Sequence, residues 1–153
     1  MKQIKILLVM VLVSVGLQLS AQTKPVPVKF KPPKLYTQLG SFRDSVTLNM
    51  GEAESIIGQS LKIFDDKKGV YSISSYQFLY RKTGVTENEE TGKVTPTSNI
   101  ISQRFKTTPL PQSWIDKIRE DIKPGEELFF FDVIAKDAQG RVMYAPNFRV
   151  MVR

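Results

Sequence analysis

Alternation with a period of two runs through most of the apolar segments of this chain, and it restricts them to strands. In the closing segment Phe148, Val150 and Val152 share one parity, while Arg149, Met151 and Arg153 take the other. Pro146 stands at its entrance, where a missing backbone donor does least harm. The alternation also runs from Tyr71 to Tyr80, with a slip: Tyr71 and Ile73 have the opposite parity from Tyr76, Phe78 and Tyr80. A β-bulge near Ser74 and Ser75 reconciles the two halves. Residues 60–64 precede this run across the turn Asp65-Asp66-Lys67-Lys68-Gly69, so the pair reads as a hairpin with a long second strand. Residues 42–50 read as a half-buried strand, with Phe42, Val46, Leu48 and Met50 on one side and Asp44 as the exception. A strand is expected around residues 100–105. Another, Glu127–Lys136, returns through the turn 137–140, whose Gly140 can take a left-handed conformation.

Two stretches change period. Gly51 leads into Glu52-Ala53-Glu54-Ser55-Ile56-Ile57, with acids in the first turn where the helix dipole favours them, and this predicts a helix of about two turns ending by Gly58. Leu110, Trp114, Ile118 and Ile122 recur every four residues, so a second helix aligns them on one face until Pro124 and Gly125 stop it. Trp114, the single tryptophan, then reads as a core anchor of that helix. Residues 82–98 are nearly devoid of apolar side chains and read as a long exposed excursion with a loose hairpin tip. Glu87, Glu89 and Glu90 lie there, but not at the offsets of an ordered calcium loop.

The amino terminus bears on compartment. Lys2 and Lys5 precede an apolar run, residues 6–15, that is too short to span a bilayer and is followed by Ser20-Ala21-Gln22. This is the anatomy of a secretory signal cut after Ala21, and with no cysteine in the chain a lipid anchor has no thiol to carry it. Loss of residues 1–21 removes Lys2 and Lys5 and lowers the net charge from +7 to +5. Such a charge favours anionic surfaces without identifying a nucleic-acid binder. Residues 22–40 read as a proline- and lysine-rich extended arm ahead of a domain at 41–153. Within it Val26, Val28, Lys29, Phe30 and Lys31 are candidate partner-docking residues, since extended segments add to sheet edges.

Chemistry is narrowed by what is missing. Without histidine or cysteine there is no Ser-His-Asp or Cys-His site and no histidine-ligated zinc, and the nine glycines are spread singly instead of forming a phosphate-binding loop. A carboxylate pair drawn from Asp44, Asp116, Glu120 and Asp132 stays formally open but normally needs a larger, cleft-bearing scaffold. The sequence therefore reads as a non-enzyme with no cofactor and no metal. The alternative class is a small-ligand or glycan-binding domain that stacks sugars on Tyr71, Tyr76, Tyr80 or Trp114.

A short helix, then Lys123-Pro124-Gly125-Glu126-Glu127-Leu128-Phe129-Phe130, the run to Ala135-Lys136, the Gly140-Arg141 turn and a proline-bearing return strand together resemble the carboxy-terminal domain of GldM, the gliding-motility and type IX secretion protein. The pattern is basic-x-Gly-acid-x-(Leu/Val)-x-Phe followed by an apolar-x-Ala-Lys run. Weaker similarity reaches back through residues 71–80 to the Gly51 helix, covering residues 42–153. The resemblance implies a β-rich periplasmic module that makes protein contacts. In that family such modules form a rod joining an inner-membrane motor to outer-membrane rings. This chain departs from it in lacking a transmembrane anchor and the preceding domains, so motor coupling does not carry over.

The expectation is a mainly β, antiparallel, β-sandwich-like single domain with two short helices. It is periplasmic or secreted, has a protein partner in the cell envelope, and after signal cleavage has no transmembrane span and no nucleic acid to bind.

Overall fold

Residues 30–153 are described by a computed structural model, and their longest strand organises the rest. In chain order the elements are β1 (Leu35–Leu39), β2 (Phe42–Arg43), β3 (Val46–Leu48), α1 (Met50–Ile56), β4 (Leu61–Asp65), β5 (Val70–Glu87), β6 (Val94–Phe105), α2 (Gln112–Asp121), β7 (Glu127–Lys136), β8 (Val142–Tyr144) and β9 (Phe148–Val152). The fold is mainly β with two short helices among these residues. β5 changes neighbours along its length. Its first residues pair with β4, residues 72–81 pair with β7, and residues 76–87 pair with β6. The main path runs β2-β1-β4-β5-β7-β9-β3, with β6 beside β5 and β8 beside β7.

The parity slip in β5 is a bulge. Its register against β7 shifts between Ile73 and Ser75, and again before Gln77. The second shift lies in β7, where Asp132 takes φ 48° and the buried parity passes from Leu128 and Phe130 to Val133 and Ala135. With both strands bent there, the two halves of the sheet turn their apolar sides to one core, in the manner of a sandwich. Leu35, Leu39, Leu61 and Ile63 enter that core from one half, and Tyr76, Phe78, Tyr80, Phe130, Phe148 and Val150 from the other.

α1 sits where its sequence places it, whereas α2 is shorter than the expected stripe: Leu110 precedes it and Ile122 follows its last residue, both buried, and Trp114 is only half-buried. Asn49 caps α1: its side chain accepts from the Glu52 N–H at 2.9 Å while Glu52 accepts from the Asn49 N–H at 3.1 Å. α1 buries Ala53 and Ile56, and α2 buries Ile115 and Ile118. The β4–β5 hairpin forms as expected, as does the Gly140 turn, with φ 79°. The terminal strand β9 is held on both sides, by β7 and by β3.

Four expectations are corrected. Residues 42–50 are not one strand. Asp44, at φ 68°, breaks the run, so that β2 pairs with β1 at one end of the sheet and β3 with β9 at the other. Pairing is antiparallel everywhere except between β3 and β9, which is parallel. The domain begins before Ser41, because β1 pairs with β4 along its whole length and buries Leu35, Thr37 and Leu39. Residues 82–98 are not a loose excursion: residues 82–87 and 94–99 continue the β5–β6 ladder as a regular two-stranded ribbon around a tip at 88–93. There Asn88 accepts from the backbone N–H groups of Glu90 and Thr91, and Gly92 takes φ 63°.

Candidate binding site: an open strand edge beside a helix

β6 is a long strand with one neighbour. Twelve residues pair with β5 on one side, and among the described residues no strand lies on the other. Its residues 94–103 contain no charged side chain, and residues 97–103 contain no proline either. Charge and proline are the usual means of discouraging a further strand from joining an edge, so this edge is unguarded.

Alongside it lies a cleft of about 680 Å³, bounded by Ile100, Ile101 and Ser102 of β6 and by Ser113, Trp114 and Lys117 of α2. Helical spacing explains the α2 wall. Ile115 and Ile118 point into the core, which leaves Ser113 and Lys117, four apart, on the flank toward the strand. The Trp114 ring belongs to both environments. It is only partly buried, and it packs edge-on against Phe78 and Phe105, with centroids 5.7 Å and 5.6 Å away. Beneath it Phe78, Phe105, Tyr76 and Phe130 form a continuous aromatic layer. The wall of the cleft is therefore anchored to the core by rings packed at defined angles. Ile100 is 49% exposed at the opposite lip.

Lys117 forms no ion pair among the described residues. Further along α2, Asp121 bonds to Lys82 of the ribbon, and this hydrogen bond is the main cause that holds the Asp121 carboxyl below its ordinary range. Lys117 makes no direct ion pair on the cleft wall, although its charge also acts through space to lower Asp121, whose direct partner is Lys82. The arrangement offers main-chain donors and acceptors along the edge, an apolar surface on Ile101 and Trp114, and one cation.

The Lys-x-Gly-acid segment has a structural role. Gly125, at φ 86°, donates to the Val152 carbonyl at 2.8 Å, and the Val152 N–H donates back to Glu126 at 3.0 Å. The Glu126 carboxylate is 1% exposed and accepts from the Lys123 N–H at 3.1 Å, the Thr83 N–H at 3.2 Å and the Tyr80 hydroxyl.

The residues singled out from sequence fall elsewhere. Val26, Val28 and Lys29 lie outside the described residues, as does the signal segment; Phe30, 42% exposed, and Lys31 are described and exposed. Tyr76 and Tyr80 are fully buried, which removes them as stacking platforms, and Tyr71 donates to Asp65 at 2.8 Å. Of the four carboxylates considered, Asp116 accepts from Gln112, Glu120 is exposed on α2, Asp132 lies 3.8 Å from Arg104, and Asp44 occupies the link between β2 and β3. Among the described residues no group of three or more His, Cys, Asp or Glu side chains could hold a metal ion. The sequence points to Trp114 as a core anchor, or alternatively as a sugar-stacking ring, but does not place it beside a strand edge. The available signal was the Ile100-Ile101 pair in a charge-free strand followed by a helix with a cation one turn after Trp114. No family model matches the chain, and no curated protein matches it either.

Proposed function

We propose that this chain is an exported protein-interaction module, resembling the GldM carboxy-terminal domain, that docks a partner of the cell envelope against the β6 edge. The single observation behind this reading is the unguarded edge running beside a cleft with an anchored aromatic wall. Extended segments commonly bind such a surface: main-chain hydrogen bonds supply affinity and pockets for alternate side chains supply specificity. Export follows from the amino-terminal signal, cut after Ala21. An accessory role in gliding motility or type IX secretion is the context that the resemblance supplies. None of the helices among the described residues is long and apolar enough to cross a membrane, which agrees with a module that reaches its partner from an aqueous side.

The test is site-specific photocrosslinking in intact cells, with the photoreactive residue at Ser102 in the cleft or at Ser72, which pairs with β7 away from it. A discrete adduct with a component of the secretion or motility machinery from Ser102, and none from Ser72, is expected. Equal labelling from both positions, or an unexported precursor that retains Met1 on amino-terminal sequencing, overturns the reading.

A further inference from the structure

From the chemistry of the cleft we infer the class of its occupant: an extended, acidic segment that joins β6 as an added strand, sets an apolar side chain against Ile101 and Trp114, and places a carboxylate opposite Lys117. This rests on the reading of the β6 edge as a docking surface. Three observations select this occupant. The edge is open and uncharged from Val94 to Gln103, so it presents its backbone without a repelling side chain. The half-buried ring of Trp114 and the side chain of Ile101 provide an apolar seat held rigid by Phe78 and Phe105. Lys117 makes no direct ion pair among the described residues: the nearby Asp121 is bonded to Lys82 and feels Lys117 only through space.

Charge also decides against a second copy as the occupant. Without residues 1–21 the chain carries a net charge of +5, and its β6 offers no acid, so an edge-to-edge pair would bring no acid from β6 to Lys117 in either copy. An acidic segment removes both objections, and its attraction to a basic protein also speeds encounter.

Isotope-labelled full chain is titrated with a capped peptide of about eight residues that alternates threonine and valine around one central aspartate. Three controls accompany it: the peptide with lysine for aspartate, the aspartate peptide N-methylated on alternate residues, and the variant Lys117→Glu. The amides of residues 100–102 and Lys117 and the Trp114 indole should shift saturably. The lysine peptide should bind about 10-fold more weakly or less, N-methylation should abolish the shifts, and Lys117→Glu, an exposed change that leaves the core intact, should invert the charge preference. If N-methylation abolishes binding but the charge preference is absent, the edge still docks a strand and the acidic class is wrong. If no peptide moves the cleft resonances, the docking surface itself falls. Cleft resonances that broaden with chain concentration in the absence of peptide identify a second copy and overturn the inference equally.

Discussion

Glu126 shows how one side chain can give a motif its content. A carboxylate with almost no exposed surface is costly unless its lone pairs are met, and here two backbone N–H groups and the Tyr80 hydroxyl meet them. These bonds tie the turn after α2 to β5, and Gly125 ties the same turn to β9, so the acid joins three elements at one point. Trp114 has the opposite economy, since it serves the core with its ring edges and leaves part of its surface in the cleft. A fully buried tryptophan cut to alanine costs about 3–5 kcal/mol. Its partial exposure lowers the expectation for Trp114→Ala to about 2 kcal/mol, because only the area packed on Phe78 and Phe105 is lost. Urea unfolding measures this directly. A loss under about 0.5 kcal/mol would place the ring outside the core, and the wild-type indole emission should lie between those of buried and fully hydrated tryptophan.

Among the elements, the ribbon formed by the ends of β5 and β6 contributes nothing to the core: every residue from 83 to 100 is exposed. Replacing residues 85–96 by an Asn-Gly turn, which joins the register pair Gly84 and Thr97, should therefore leave stability within about 1 kcal/mol. A drop of more than about 2 kcal/mol in urea unfolding would show that the ribbon is structural. The ribbon also marks where sequence reading stops. A two-stranded ladder with water on both faces needs no apolar alternation, so residues 82–98 gave no strand signal. The bulge in β5 was legible because burial on both sides of it left a parity record at Ile73 and Tyr76. The break at Asp44 left only one trace, an acid on the apolar parity, which does not by itself say that the residue turns left-handed and ends the strand. β1 was hidden by its neighbourhood, a short run next to a proline- and lysine-rich segment, although Leu35, Thr37 and Leu39 have the period of a strand. The helices are legible in kind because first-turn acids, a four-residue apolar period and a Pro-Gly stop are local signals. The open edge of β6 could not be read, because what a strand lacks as a neighbour is a property of the whole topology.

At the scale of the molecule, one aromatic layer links the cleft wall to the far strands, from Trp114 through Phe78 and Phe130 to Phe148. Two tyrosines stand within this core with their hydroxyls bonded, Tyr76 to the Thr107 carbonyl at 3.0 Å and Tyr80 to Glu126. Burial pushes the Tyr76 phenol up to about 12. Burial first, and then the hydrogen bond to Glu126, raises Tyr80 further. A phenol is neutral when protonated, and in the unfolded chain both rings ionise near pH 10. Above that pH the unfolded state binds fewer protons than the folded state, so stability falls as pH rises. The contribution of these groups is fully present below about pH 10 and is lost as pH climbs through the raised folded values. Urea midpoints measured between pH 8 and 11 should therefore be level at first and then decline. The lysines also titrate in this range, so the pair Tyr76→Phe and Tyr80→Phe supplies the control. Each variant loses a hydroxyl bond and starts less stable, but the double variant should decline less steeply above pH 10, because two of the groups that ionise only on unfolding are gone. An alkaline slope unchanged in the double variant would mean that these phenols reach solvent in the folded chain, and that the core beneath Trp114 is open where the geometry has it closed.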